Sequence, residues 1–286
     1  MKEFRALIPR SVQEALELLS KKKGAMLLAG GSDLVVKLKE RKVTPRYIID
    51  ITHLKELKFI REDGECLLIG PLVTHSELSM SDLIDKYAPV LKEAVRCLGS
   101  PQIRNIGTIG GNIVTASPVA DTVPPLFVLD ATLTLRKKDG ERRVHIRDFG
   151  VGPQKSIIEP TEMLTEIRVK KMGENEVGFY RKLGQRKALA ISKVSVAFWA
   201  KMSDRVFEDV KIALGAVAPR VVYAQKAMEF LRGKPASVDV IKMASEVIKS
   251  DCTPITDIRS TEEYRREMTG ALLIEGCERI FGMTIE

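Results

Sequence analysis

The first fifty residues combine a stretch of helical apolar spacing with short continuous apolar runs. Ser11 and Glu14 have the spacing of a capping box. The apolar stripe that follows at helical period consists of Val12, Ala15, Leu16 and Leu19. Strands are predicted at residues 26–29 and 47–51, with a short helix at 34–40 between them. Because strand, glycine turn and helix occur in that order, a Rossmann unit is one alternative for this region.

From residue 57 onward the pattern favours hairpins. Asp63-Gly64 and Asp139-Gly140 are turn signals between apolar runs, and they predict strands at 57–61, 66–70, 132–137 and 142–146. Short helices are predicted between residues 74 and 98, and another at 121–129. Residues 99–115 are rich in glycine and polar residues and have no clear period, which predicts an ordered loop.

A predicted linker at residues 171–176 precedes a third region. Strands are predicted near residues 179–183, 194–202 and 210–216, and helices near 222–231, 238–249 and 262–281. The whole pattern predicts a mixed α+β chain in three compact parts.

Composition narrows the class of protein. The chain has 286 residues, 44% hydrophobic and 29% charged, which is typical of a globular protein of about two domains. No apolar run is long enough for a membrane span, and the N-terminus lacks the apolar stretch of a secretory signal. Cysteines 66, 97, 252 and 277 are scattered, which predicts a reducing, cytoplasmic location and no disulfide framework.

The net charge of +8 is compatible with a nucleic-acid ligand, but the basic residues are interleaved with 38 acidic ones and aromatics make up only 5% of the chain. A solvated basic surface is therefore the prediction, with a docking face for an acidic partner as the alternative. The common nucleotide, zinc and nucleophile motifs GxGxxG, GxxxxGK[ST], HExxH and GxSxG are missing. His53, His75 and His145 stand far apart and are expected at turns or on the surface.

Two glycine-rich loops carry the candidate chemistry. In the first loop, residues 29–33, adjacent glycines permit positive φ angles and close approach of the backbone to an anion. Ser32 adds a hydroxyl donor. Taken alone, this loop is better interpreted as an ordinary strand-to-helix turn capped by Asp33, because double glycines are common at turns.

The second loop, residues 108–112, lies in a longer polar and apolar stretch. It offers Gly110 and Gly111 for close backbone approach, and Asp121 further on as an acceptor suited to ribose hydroxyls. Its uncharged polar residues are Thr108, Asn112, Thr115 and Ser117. Buried polar groups need hydrogen-bond partners, which a ligand supplies. The two loops together predict a site for a ligand that carries an anionic group and ribose hydroxyls.

Three segments carry a resemblance to a known family: AGGSDL at 29–34, SPQIRNIGTIGGNIVTASPVAD at 100–121 and FYRKLGQRKALAISKVSVA at 179–197. They resemble the FAD-binding subunits of molybdenum hydroxylases, such as xanthine, nicotinate, carbon monoxide and aryl-aldehyde dehydrogenases. GAVAPRVVYAQKAMEFLRGK and DIRSTEEYRREMTGALL extend the resemblance over nearly the whole chain. Ser32 departs from a more usual threonine but keeps the hydroxyl.

The resemblance implies a fold and domain limits. An α+β FAD-binding domain of the vanillyl-alcohol-oxidase (PCMH) type is expected at residues 1–173, with subdomains at about 1–55 and 56–173. A C-terminal α+β domain of the molybdenum hydroxylase flavoprotein is expected at 177–286. A Rossmann fold is disfavoured, because the glycines lie in two separate loops.

The resemblance also implies the site residues. The first pyrophosphate loop would be Leu27, Leu28, Ala29, Gly30, Gly31, Ser32, Asp33 and Leu34, and the second Thr108, Ile109, Gly110, Gly111 and Asn112. Ser117 and Asp121 would contact the ribityl or ribose side. Leu98 and Leu164 would line the flavin or adenine pocket, or else be core leucines. Lys182 would lie near the isoalloxazine, or else be a strand-end lysine with a solvated head. No catalytic acid, base or metal ligand is expected on this chain.

By the same resemblance, FAD collects electrons from an iron–sulfur small subunit, which receives them from a molybdopterin large subunit. FAD then passes them to NAD⁺ or another acceptor. A hetero-oligomer, such as a dimer of trimers, is expected. Two alternatives remain open at this point: a self-sufficient FAD-dependent oxidase or dehydrogenase of a small substrate, and an assembly protein that has lost FAD.

Overall fold

A computed structural model describes residues 2–186 and 189–285. The outer limits of the expected domains, residues 1 and 286, and two positions of the 179–197 segment lie outside the described residues. Within the described ranges, no helix is both long and apolar enough to cross a bilayer. The same ranges hold no group of three or more His, Cys, Asp or Glu placed to bind a metal ion.

The N-terminal unit is a three-stranded parallel sheet with two helices. Its elements are β1 (Arg5–Leu7), α1 (Val12–Lys21), β2 (Met26–Leu28), α2 (Leu34–Lys39) and β3 (Tyr47–Asp50). The strand order is β1-β3-β2. Ser11 caps α1 by accepting a hydrogen bond from the Glu14 amide at 3.1 Å, and the predicted apolar stripe of α1 is buried against the sheet.

The second unit is built around a five-stranded antiparallel sheet of order β4-β5-β10-β6-β7. After a 3₁₀ turn (Lys55–Leu57), its elements are β4 (Ile60–Asp63), β5 (Cys66–Ile69), α3 (His75–Met80), α4 (Asp82–Tyr87), α5 (Pro89–Cys97), α6 (Pro101–Ile106), α7 (Ile109–Thr115), α8 (Val123–Val128), β6 (Thr132–Lys137), β7 (Gly140–His145), α9 (Ile146–Phe149), β8 (Gly150–Gly152), β9 (Lys155–Ser156) and β10 (Met163–Lys170).

The prediction of a loop at residues 99–115 is wrong, because this stretch forms α6 and α7. Side-chain caps explain the difference. Ser100 accepts from the Ile103 amide at 3.2 Å, and Thr108 accepts from the Gly111 amide at 3.1 Å. Each cap satisfies an otherwise free donor at a helix start, and this outweighs the low helix propensity of the glycines.

The C-terminal unit is a four-stranded antiparallel sheet backed by helices. Its elements are β11 (Glu176–Leu183), β12 (Val194–Ser203), β13 (Val206–Gly215), β14 (Val222–Tyr223), α10 (Gln225–Leu231), α11 (Val238–Val247), a 3₁₀ turn (Ile248–Asp251) and α12 (Glu262–Phe281). The strand order is β11-β12-β13-β14. The helix predicted at 222–231 therefore begins three residues late, after a short strand.

Both faces of this sheet are buried. Phe179 and Phe198 stack with ring centroids 5.1 Å apart in the core shared with α10, α11 and α12. Their neighbours Tyr180, Ala197 and Trp199 point to the opposite face and join the core of the second unit beside α5 and α8. The C-terminal sheet is thus packed between its own helices and the second unit.

Candidate functional site

The first loop connects β2 to α2, and its two glycines meet different demands. Gly31 has φ +74°, a left-handed conformation that favours glycine. Gly30 lies directly against the α6 end, where a Cβ atom would overlap the Ile106 carbonyl oxygen. The first loop is therefore held against the segment that leads into the second loop.

The first loop presents free backbone donors. Within residues 2–186 and 189–285, the five amides of residues 30–34 have no hydrogen-bond acceptor. Consecutive unpaired amides at a helix start form a concave site for an anion. The Ser32 hydroxyl adds a donor beside them.

In the second loop, by contrast, the backbone amides of Ile109, Gly110 and Gly111 already have acceptors within the protein. The Ile109 amide donates to the Val73 carbonyl and the Gly110 amide to the Pro71 carbonyl, both at 3.0 Å. The Gly111 amide donates to Thr108 Oγ1. This loop therefore contributes side chains and space to the site rather than backbone amides.

The two glycines of the second loop also differ. A Cβ atom on Gly110 would lie 2.5 Å from Pro71 Cβ, so Gly110 permits close packing of α7 against the segment before α3. A Cβ atom on Gly111 would meet only Thr108 Oγ1, at 3.1 Å. Gly111 is thus the glycine that keeps the wall beside the first loop open.

Two adjoining cavities lie along these loops. The polar cavity, of about 410 Å³, is bounded by both loops. The apolar cavity, of about 320 Å³, lies between β2 and the start of β10. They share the lining residues Met26, Leu27, Ala29, Gly111 and Val114. The two cavities form one elongated cleft of a size typical of ligand sites, with the free amides of residues 30–34 in its polar part.

Most of the predicted site residues lie on the walls of this cleft. Those on the polar cavity are Leu27, Ala29, Gly30, Gly31, Ser32, Asp33, Leu34, Leu98, Thr108, Gly111 and Asn112. Gly110 and Leu164 lie on the apolar cavity. Leu28, Ile109, Ser117, Asp121 and Lys182 lie on neither. Ile109 is fully buried in the core, and Ser117 lines a separate small cavity next to α8.

Asp121 and Lys182 bond to each other between the second and C-terminal units. Lys182 Nζ donates to Asp121 Oδ2 at 2.7 Å, and the side chains are 7% and 9% exposed. Tyr180 Oη and Ser192 Oγ donate to Asp121 Oδ1 at 2.9 and 2.7 Å. Burial, and then the neighbouring Asp121 charge, raise the pKa of Tyr180 well above its usual value, so Tyr180 remains a donor. The carboxylate thus accepts three hydrogen bonds, all from the C-terminal unit.

His75 is a lining residue that the sequence did not identify, and the expectation that it lies at a turn or on the surface is wrong. It is only 2% exposed, at the start of α3, and lines the polar cavity beside Gly107. Burial, and then the positive charge of Arg104, lower the pKa of the His75 imidazole to about 4. The capping-box spacing of Thr74 and Glu77 was the available signal, because it places His75 in the first turn of a helix that packs inward.

Lys37, Ile103 and Val114 also line the cleft and were not predicted. Lys37 lies one helical turn after Asp33, and the two form an ion pair at 2.7 Å. In the apolar cavity, Glu162 is the charged lining residue. The Arg142 guanidinium, bonded to Glu162 through Nε at 2.6 Å, lowers the pKa of that carboxyl.

Comparison with known proteins identifies the family to which the chain belongs. Residues 2–171 match the family "FAD binding domain in molybdopterin dehydrogenase", and residues 179–280 match "CO dehydrogenase flavoprotein C-terminal domain". The chain belongs to this family of FAD-binding subunits. The expected α+β fold and the cofactor FAD are thereby confirmed, and the chain is an oxidoreductase subunit.

Relatives of this FAD-binding subunit cover it almost end to end. The glyceraldehyde dehydrogenase medium chain of Sulfolobus acidocaldarius is 32% identical over 97% of this chain and 98% of its own length. The nicotinate dehydrogenase FAD-subunit of Eubacterium barkeri is 31% identical over 93% and 92%. The solved carbon monoxide dehydrogenase of Hydrogenophaga pseudoflava superposes with a TM-score of 0.94 at 30% identity, covering 98% of both chains.

Proposed function

We propose that this chain is the FAD-carrying electron-transfer subunit of a multi-chain molybdenum hydroxylase. The observation that carries the proposal is the row of five unpaired amides on the wall of a polar cavity that adjoins an apolar one. An elongated dinucleotide requires such a site, with donors for its central pyrophosphate and space for a ring system on either side. The described residues therefore fit FAD.

The proposed pose follows from the chemistry of the two cavities. The pyrophosphate lies on the amides of residues 30–34, opposite Gly111. The adenine lies in the apolar cavity beside Leu164. The isoalloxazine lies toward Leu98, whose neighbour Cys97 has its carbonyl oxygen 3.5 Å from Lys182 Nζ.

Asp121 and Lys182 belong to the proposed site through this flavin end, and Ser117 is proposed from the family resemblance to contact the ribityl or ribose side. Asp121 fixes the position of the Lys182 ammonium, and the ammonium provides a positive charge just behind the Leu98 wall. A fixed cation close to a flavin favours the reduced, anionic form of the ring. Lys182 is therefore proposed to tune the potential of the cofactor, and Asp121 to position Lys182.

Bound FAD supplies the redox chemistry, since it accepts electrons singly and releases them in pairs. The chain's own residues bind and orient the cofactor and set its electrostatic surroundings. We propose an iron–sulfur small chain as the electron donor and a molybdopterin large chain behind it. The proposed acceptor is NAD⁺ or another electron acceptor.

The names of the relatives favour a multi-chain assembly, because they are called medium chains or FAD-subunits. The proposed domains are residues 1–173, which hold FAD, and 177–286, which pack against them. A cytoplasmic location is proposed with them, since all four cysteines are free thiols.

Purification of the tagged chain from its own cells tests the subunit proposal. We expect one large and one small chain to co-purify, with molybdenum and iron in the complex. Glyceraldehyde, nicotinate, xanthine and carbon monoxide are suitable trial substrates. At least one should bleach the flavin absorbance of the complex, and none should bleach it in the isolated FAD-loaded chain. Turnover by the isolated chain would contradict the proposal and favour the self-sufficient oxidase.

A further inference from the structure

Asn112 lines the polar cavity, and its side chain ends in a carboxamide whose two ends differ chemically. The oxygen accepts hydrogen bonds and the NH₂ group donates them. Thr122 Oγ1 donates to Asn112 Oδ1 at 2.6 Å, so the oxygen is engaged on the protein side. In the part of the chain that the structure describes, the Asn112 NH₂ group has no acceptor. The donor end of the side chain is therefore left for a ligand.

Thr122 determines which way this carboxamide is turned. The residue is fully buried, and Asn112 Oδ1 is the one acceptor of its hydroxyl proton within the described ranges. Turning the carboxamide over would point the NH₂ group at the hydroxyl and leave the hydroxyl proton buried without an acceptor. A buried donor without a partner is unfavourable, so the observed orientation is retained.

The position of Thr122 is fixed in part by the adjacent residue, Asp121. Asp121 accepts three hydrogen bonds from Tyr180, Ser192 and Lys182, all in the C-terminal unit. Thr122 also begins α8, where its carbonyl accepts from the Leu126 amide at 3.2 Å. The hydroxyl therefore cannot follow the Asn112 oxygen if the carboxamide rotates.

We propose that Thr122 is a positioning residue for the anionic part of the cofactor: its hydrogen bond to Asn112 Oδ1 holds the NH₂ group of Asn112 toward the pyrophosphate. This inference rests on the proposed FAD site and adds to it. Asn112 and residues 30–34 line the same polar cavity, so a pyrophosphate held there would accept hydrogen bonds from the Asn112 side chain as well as from the amides. Both groups of donors are neutral.

Thr122→Val and Thr122→Ser in the full-length chain test this role by titration of the apo-protein with FAD and with ADP. Valine keeps the shape of threonine but removes the hydroxyl, and serine keeps the hydroxyl. We expect Thr122→Val to weaken both ligands about tenfold, the equivalent of one hydrogen bond. Thr122→Ser should bind within about twofold of wild type. In an Asn112→Ala background, Thr122→Val should cause no further loss.

Asn112→Asp gives a second test that does not depend on Thr122→Val folding. With Thr122 still bonded to one carboxylate oxygen, the other replaces the NH₂ group and repels phosphate. Asn112→Asp should therefore bind FAD and ADP more weakly than Asn112→Ala. Equal or tighter binding by Asn112→Asp, or wild-type binding by Thr122→Val, would overturn the inference while leaving the FAD site intact. Failure of the wild-type chain to bind FAD would overturn the proposed function and the inference with it.

Discussion

At the scale of single residues, the glycines of the two loops have separate physical roles. Gly31 adopts a left-handed conformation, and Gly30 and Gly110 allow backbone segments to approach closely. A Cβ atom on Gly111, which lines both cavities, would have one neighbour within 4 Å, Thr108 Oγ1 at 3.1 Å. Substitutions at these positions should therefore separate effects on folding from effects on the ligand.

Gly111→Val should lower FAD affinity at least about tenfold while leaving the apo-protein folded, because the side chain extends into the space beside the first loop. Gly140→Val is the matched control, since no atom lies within 4 Å of a Cβ at that exposed position. FAD titration and thermal melting of both variants provide the measurement. Wild-type affinity in a folded Gly111→Val protein would show that the pyrophosphate does not lie against Gly111.

The buried His75 should make stability depend on pH. Its pKa is about 4 in the folded chain and about 6.5 when unfolded, so below pH 6.5 the unfolded state takes up a proton that the folded state does not. The unfolding free energy should fall by about 1.5 kcal/mol between pH 6.5 and pH 5 from this group alone. Urea denaturation of the apo-protein across this range would measure the change. In His75→Gln this fall should disappear, and an unchanged pH dependence in the variant would argue against the buried, neutral imidazole.

At the scale of elements, hydrophobic periodicity and turn signals predicted the ends of some helices and strands. They failed where side-chain caps or a β-bulge determine the local structure. The sequence predicted β6 and α12 with their observed ends, because turn, cap and period agree there. β10 was not predicted, since a bulge between Leu164 and Glu166 interrupts its alternation. α6 and α7 were missed because the Ser100 and Thr108 caps outweigh the glycine content of that stretch.

The packing of α12 against β11 can be tested by a substitution at Gly276, near the end of the helix. Alanine normally stabilises a helix interior relative to glycine by about 1 kcal/mol. Here a Cβ atom would overlap the ring of Phe179 in the C-terminal core, so Gly276→Ala should instead destabilise the protein by about 1–3 kcal/mol.

Ala271→Gly, at an exposed position of the same helix, is the control for helix propensity without a packing effect. It should lower the free energy of unfolding by about 1 kcal/mol. Equilibrium unfolding of both variants would measure these changes. A stabilised Gly276→Ala protein would show that α12 does not pack on β11 as closely as described.

At the scale of the whole molecule, the C-terminal sheet and the second unit are joined by a shared hydrophobic core and by the buried ion pair of Asp121 and Lys182. The two glycine loops were predictable from local sequence, because each is continuous. The pairing of Asp121 with Lys182 was not, since it depends on how β11 packs against the second unit. Thr122 and His75 also escaped prediction, because their surroundings depend on how the helices of the second unit pack against one another.

Asp121→Asn should cost about 3–5 kcal/mol of unfolding free energy, because it leaves the buried Lys182 ammonium without a counter-charge. Adding Lys182→Met should recover part of the loss. Trp199, the single tryptophan, lies where the C-terminal sheet meets the second unit, and its fluorescence can report the unfolding. Additive losses in the double variant would show that the two side chains do not interact.

The identity of the flavin bound to the purified chain is the most direct test of the central claim that the two-cavity cleft holds FAD. The protein is denatured and the released cofactor is identified by chromatography and quantified against the chain. We predict FAD, at one molecule per chain. Release of FMN, or a colourless protein that takes up no added FAD, would contradict the claim.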